Sequence, residues 1–151
     1  MASDFCIDNP YRWVGYGPDF WGLTACDALP EGYRAHTPGV GEDFGTIAPT
    51  AALSSMPYTP EESMAVLKNL YRNLGSVAFG IMGFYDAVNL SLGEPRSTES
   101  YIAIDQGPIL VMIENHRNAT VWNAFMKKND IRRGLDRLGF TINHKTIEYT
   151  K

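Results

Sequence analysis

The sequence is short of cysteine, of basic charge and of long apolar runs, and each shortage removes a class of function. Two cysteines in 151 residues, Cys6 and Cys26, close at most one bridge and show no C-x-x-C spacing. Neither a disulfide framework nor a zinc site is implied, and both are expected to be small buried side chains. Thirteen Lys and Arg against seventeen Asp and Glu give a formal charge of −4. The basic pairs Lys127-Lys128 and Arg132-Arg133 sit together near the C-terminal end. They make no broad positive field for phosphates, so nucleic acid is not expected as a partner. No run approaches the roughly 18 apolar residues of a membrane span. The start, MASDFCIDNPYR, has neither the charged n-region nor the apolar h-region of an export signal.

Chemical motifs are equally scarce. His36, His116 and His144 form no H-x-x-x-H or H-E-x-x-H pair. No metal is expected, and the three are read as one surface and one or two hydrogen-bonded histidines. "GVGEDFG" places glycines at 39, 41 and 45, out of step with G-x-G-x-x-G and with no strand before it, so no cofactor is implied. Ser54 and Ser55 lie in no G-x-S-x-G elbow.

What the chain does have is aromatic and conformationally marked loop sequence. It holds three Trp, eight Tyr and seven Phe, and seven of its nine prolines fall between residues 9 and 60. That half reads as long aromatic-rich connections, which are functional surfaces when ordered. The clearest helix is "TPEESMAVLKNLYRNLG". Thr59, Pro60 and Glu62 make a capping box, Met64, Leu67, Leu70, Tyr71 and Leu74 an apolar stripe, and Gly75 a stop. "GPILVMIENH" is apolar all round in its first turns and predicts an inner helix buried on every side. "APTAALSSM", "TVWNAFMKKN" and "DIRRGLDRLG" predict three shorter helices, and "GFTINHKTIEYT" a weak tail hairpin. The fold class is therefore mainly α, with apolar inner helices wrapped by amphipathic outer ones.

The polar residues that stand out are acids set among aromatics: Asp27 in "WGLTACD", Tyr33 and His36 in "GYRAH", Asp86 in "GFYDAVN" and Asp105 in "IDQGP". Aromatic rings stack on the apolar faces of sugars while carboxylates grip hydroxyls, which makes this the usual chemistry of a carbohydrate cleft. Each acid also has a plain structural use, as a turn former or a helix cap.

"NPYRWVGYGPDFWGLTACDALPEGYRAHTPG", "DFGTIAPTAALSSMPYTPEESM", "GFYDAVNL" and "YIAIDQGPILVMIENHRN" resemble, in order and nearly without gaps, the C-terminal part of the glycoamylase-like family, whose characterised members include endo-β-1,2-glucanases. The resemblance runs from about Cys6 to Phe140 within a single partial domain, 1–151, with a short tail at 141–151. It implies the C-terminal portion of an α/α toroid, a six-hairpin barrel, with a sugar cleft at one mouth. It also implies a β-glucan oligo- or polysaccharide as substrate and no cofactor. Family domains are far longer and carry upstream helices with further cleft acids. The chain is accordingly expected to be a gene fragment, a separate half needing a partner, or a boundary drawn inside the domain. A periplasmic or secreted place is expected of full-length members.

Inverting glycosidases hold two carboxyl groups roughly 6.5–9.5 Å apart, one protonated and one ionised. Asp105, just ahead of the "GPILVMIENH" helix where the dipole favours a charged carboxylate, is the expected general base. Trp21, Asp27, Tyr33, His36, Tyr85 and Asp86 are the expected substrate-holding residues. The acid of the pair is expected upstream. The alternative is a non-catalytic carbohydrate-binding or helix-pairing module.

Overall fold

The computed structural model describes residues 2–29, 32–39, 41 and 43–140. The expected tail hairpin lies outside them from residue 141 on. Helix outweighs strand, as expected. In chain order the elements are α1 (Ala2–Asp8), β1 (Cys26–Ala28), β2 (Gly32–Arg34), β3 (Thr46–Ile47), α2 (Pro49–Leu53) and α3 (Pro60–Lys68). Then come β4 (Phe79–Gly80), β5 (Gly83–Phe84), β6 (Val88–Asn89), β7 (Arg96–Ser97), α4 (Ala103–Asn118), α5 (Thr120–Met126) and α6 (Asn129–Arg137). Among the described residues no helix is long and apolar enough to cross a membrane.

The strands are two or three residues long, too short to leave an alternating pattern in the sequence. β1 pairs antiparallel with β2, β4 with β5, and β6 stands between β3 and β7. Their work is to pin the aromatic loops to one core of Phe20, Trp21, Ile47, Leu53, Val66, Leu70, Phe84 and Val88. Buried Asn89 welds the central sheet. Its Nδ2 donates to the Phe44 carbonyl at 3.0 Å and to Thr46 Oγ1 at 2.8 Å, while its Oδ1 accepts from the Ser91 N–H at 2.7 Å. A buried amide with both ends paired avoids the cost of an orphan polar group.

The helices depart from expectation in informative ways. α3 continues as a π-helical turn over residues 69–74, and Gly75, at φ 51°, ends it. Thr59 stands at the N-cap, but its hydroxyl engages the Ser55 carbonyl and Ser63 Oγ rather than the first turn. The buried stripe of this segment is Ser63, Val66 and Leu70, whereas Met64 and Tyr71 are exposed. Ser63 can lie on the buried side because its hydroxyl donates to the Ala52 carbonyl at 2.8 Å.

α4 begins five residues before Pro108 rather than at it. Ile102 is extended, and its carbonyl accepts from the N–H groups of Asp105 and Gln106 at 2.9 and 3.0 Å. Pro108 is thus an interior residue, unable to donate to the turn before it. The expectation of burial on every side also fails. Ile109 is buried, but Ile104 and Leu110 are 73% and 74% exposed. α5 and α6 bury no residue. α5 is held to α4 by buried Asn115, whose Oδ1 accepts from the N–H groups of Val121 and Trp122 at 3.1 and 3.0 Å. That supplies from a neighbouring helix the cap α5 lacks in its own sequence.

Candidate active site

Three separate segments converge on one cluster of carboxyls. Asp27 lies in β1, Asp86 follows β5, and Asp105 is the third residue of α4. The N–H of Asp27 donates to Asp86 Oδ2 at 2.6 Å. Ser100 Oγ donates to Asp27 Oδ2 at 3.1 Å, and the Ser100 carbonyl accepts from the Asp86 N–H at 3.0 Å, so the segment before α4 clasps both acids. α4 is fixed from two sides. Thr50 Oγ1 of α2 donates to the Asp105 carbonyl at 2.8 Å, and Gln106 Nε2 donates to the Phe84 carbonyl at 2.7 Å.

The Asp105 carboxyl is one of the charges that act on Asp86. Asp86 is 1% exposed and Asp105 9% exposed. Asp86 Oδ1 and Asp105 Oδ2 are buried and find no donor among the described residues. Burial above all lifts Asp86 to about 6; the Asp27 N–H opposes the rise, and the neighbouring carboxyls of Asp105 and Asp27 add to it. Buried Cys26 lies against the same acids, and burial, then the charges of Asp86, Asp105 and Asp27, push its thiol to about 12. It is an inert neutral thiol, and with Cys6 it is free and buried, as expected. Among the described residues no grouping of His, Cys, Asp and Glu is arranged to hold a metal ion.

The aromatics divide into two sets. Tyr33 faces Asp27 across the β1–β2 pair and is 60% exposed. Tyr85 precedes Asp86 and packs on Tyr101, ring centroids 5.2 Å apart. Trp21 and His36 are instead buried in the interior. Trp21 belongs to the core and edges a 260 Å³ recess with Ser3, Gly22 and Ser55. His36 is 1% exposed, its ring edge-on to Phe44, and both ring nitrogens lack a partner among the described residues. This corrects the expectation of hydrogen-bonded buried histidines, and both Trp21 and His36 lie beneath the surface. Sequence reading passed over Thr50, Ser100 and Asp43. Asp43 is buried in the "GVGEDFG" loop, where its Oδ1 accepts from Tyr16 Oη at 2.7 Å and the Gly45 N–H at 3.1 Å. A serine or threonine carries no signal of its own until the fold shows its partner.

His36 makes a measurable prediction. Burial, then the Arg34 charge, lower its affinity for a proton, with Asp43 opposing. The folded state therefore holds it neutral; stability is fully present above the ordinary 6.5 and is lost as pH falls below it. Between about pH 7 and pH 5 the melting temperature of the wild type is expected to fall relative to that of His36→Phe, in which the other titrating groups are unchanged. Equal slopes in the two proteins would contradict this. Asp86 has the opposite sign: its contribution is complete below the ordinary 3.8 and fades as pH rises through about 6.

Residues 1–129 match the Glycoamylase family, described as putative glucoamylase. The chain belongs to this family. Within the glycoamylase family it is 45% identical over 134 residues to an exo β-1,2-glucooligosaccharide sophorohydrolase of Parabacteroides distasonis, covering 89% of this chain and 18% of the relative. Its structure resembles that of an endo-β-1,2-glucanase from Chitinophaga pinensis in complex with sophorotriose and glucose. The TM-score is 0.86 at 47% identity, covering 91% of this chain and 32% of that one. It also resembles a β-1,2-glucanase from Parabacteroides distasonis, with TM-score 0.83 at 45% identity, covering 89% of this chain and 19% of that one. The chain thus spans a third or less of the length of these glycoamylase-family relatives.

Proposed function

We propose that this chain is one portion of a glycoside hydrolase that cleaves β-1,2-linked glucan by inversion, with Asp105 as the general base. The observation that carries the reading is the position of Asp105. It is held in the first turn of α4 by Thr50 and Gln106, with one carboxyl oxygen free of any donor among the described residues. The helix dipole at that turn favours the ionised form that a base requires. The kinship with β-1,2-glucan-active enzymes supports the substrate class.

Asp86 and Asp105 do not form the catalytic pair with each other. Asp86, 1% exposed, is too deeply buried to protonate a leaving sugar oxygen. The general acid is therefore assigned to the part of the domain that this chain does not span. We place the chain in an α/α toroid, as a single partial domain over 1–151. The exposed apolar faces of α4 and α5, with Ile104, Leu110 and Phe125, are suited to packing against further helices. Tyr33, Tyr85 and Asp27 are assigned to holding the sugar, and Trp21 and His36 to supporting the wall from beneath.

The same apolar faces favour a second reading, a helix-pairing or carbohydrate-binding module without catalysis. A chimera separates the two: this chain replaces the corresponding third of the Chitinophaga pinensis enzyme, and the product is assayed on linear β-1,2-glucan. Oligosaccharide release is expected. A folded chimera that binds the glucan and releases nothing would leave the binding module as the better account.

A further inference from the structure

The β4–β5 hairpin leads from the core to the acid cluster, and its two faces are unlike. The register sets Phe79 opposite Phe84 and Gly80 opposite Gly83, and the Tyr85 N–H carries the pairing one step further to the Ala78 carbonyl at 2.9 Å. Side chains alternate along such a pair, so Phe79 and Phe84 share one face and Gly80, Gly83 and Tyr85 the other. The first face is apolar: the two Phe rings meet edge to face, centroids 4.9 Å apart, and pack on the core. The second is bare backbone with polar groups laid on it. A Cβ on Gly80 would stand within 2.5 Å of the hydroxyl oxygens of both Tyr85 and Tyr101, and one on Gly83 would stand 2.8 Å from Gln106 Oε1.

Backbone conformation does not call for glycine at Gly80, whose φ is not positive. A glycine inside a strand weakens it and marks a place where another group comes close. Here the close groups are two phenol oxygens. The Tyr85 and Tyr101 rings already pack, centroids 5.2 Å apart, and it is their hydroxyl ends that need the space above Gly80. Each phenol both donates and accepts, so two that meet can satisfy one another and still offer a donor and free lone pairs to a third group. A sugar hydroxyl, which also donates and accepts, is the complementary partner. Tyr85, Tyr101, Gln106 and both glycines are half-buried, open to solvent yet held in place. This polar ledge ends at the acids. Tyr85 adjoins Asp86, Gln106 adjoins Asp105, and Ser100, just before Tyr101, bonds the Asp27 carboxyl and the Asp86 N–H.

We infer that the glycine face of this hairpin is a sugar subsite beside the bond that is cleaved, where the Tyr101 and Tyr85 hydroxyls together bind the hydroxyls of one glucose unit of the glucan. Tyr101 is thereby a binding residue, and Gly80 is the residue that lets it reach its place. No covalent bond forms or breaks there. The inference rests on reading the acid cluster as a glucan-cleaving site, and it names groups that hold the sugar away from the reacting carbon.

The test is calorimetric titration of sophorotriose into the chimera carrying Asp105→Asn, which reads binding without cleavage, paired with kinetics of the chimera in which Asp105 is intact. Tyr101→Phe keeps the ring and removes the hydroxyl. It is expected to weaken sophorotriose binding about two- to tenfold, the range of one hydrogen bond, and to raise KM by a similar factor with a smaller effect on kcat. Gly80→Ala leaves both hydroxyls in the chain but drives them apart, and is expected to weaken binding at least as much. Melting temperatures of both variants are recorded alongside.

Unchanged affinity and KM in Tyr101→Phe, in a chimera that is active and needs Asp105, overturns the inference; a lower melting temperature with that level affinity would give the hydroxyls a packing role instead. Unchanged affinity in a folded Gly80→Ala contradicts it equally. Weakened sophorotriose binding in both variants of a chimera that releases no sugar upholds the subsite and refutes the hydrolase reading.

Discussion

Asp105→Asn in the chimera is expected to lower sugar release from β-1,2-glucan by about 100- to 10,000-fold, the range that a positioned general base contributes. The amide matches the carboxylate in shape, and the Thr50 and Gln106 bonds that hold α4 do not use this side chain, so the fold is expected to survive. What it loses is a proton acceptor for water. KM is expected to change little, since a base that acts on water and not on the sugar contributes to the transition state rather than to binding. Circular dichroism and the melting temperature of the variant check that the loss is chemical. A fall in kcat shared with a collapse of the melting transition would point to a structural role. Full activity would remove Asp105 from the mechanism.

Gly22→Ala carries the largest expected effect on stability, about 3 kcal/mol. Gly22 stands at φ 141°, a conformation that L side chains rarely adopt. A Cβ there lies 2.7 Å from the Ala48 carbonyl oxygen and 3.3 Å from the Ala52 nitrogen, both rigid backbone. The same Gly22 carbonyl accepts from the Ala48 N–H at 2.9 Å at the entry to α2, and α2 carries the Thr50 hydroxyl that clamps Asp105. Moving this contact is therefore expected to loosen the site as well as the core. Gly32→Ala is the control: φ is 81°, but nothing lies within 4 Å of its Cβ position. It is expected to cost about 1 kcal/mol from backbone strain alone. Equal losses of denaturant midpoint in the two variants would contradict the close-approach argument.

The fold was legible where a single segment carries its own signal. Pro49 and Pro60 each open a helix where the sequence places them, and Gly75 closes the α3 segment. Cys6 and Cys26 are buried and free. The two- and three-residue strands were not legible, because their register is set by partners as distant as Thr46 and Asn89. The sequence offers Pro108 as a first-turn residue, whereas the extended Ile102 sets the start of α4. The apolar run does not reveal which of its residues stay exposed, because that depends on what packs against α4. At the candidate site the acids Asp27, Asp86 and Asp105 were singled out individually from motifs, but their meeting was not. Nothing in the spacing from 27 to 86 to 105 encodes a shared hydrogen-bond network. Nor did the sequence divide roles by depth. Asp86 and Tyr85 are adjacent, yet the carboxyl is sealed while the ring is only half-buried.

Proton NMR of the first sugar released from linear β-1,2-glucan, recorded before mutarotation, addresses the mechanism most directly. With Asp105 activating water on the face opposite the leaving group, the chimera is expected to release the α-anomer first, and Asp105→Asn to release almost none. Initial formation of the β-anomer, or an unchanged rate and anomer in Asp105→Asn, would contradict the assignment of Asp105 as the base of an inverting hydrolase.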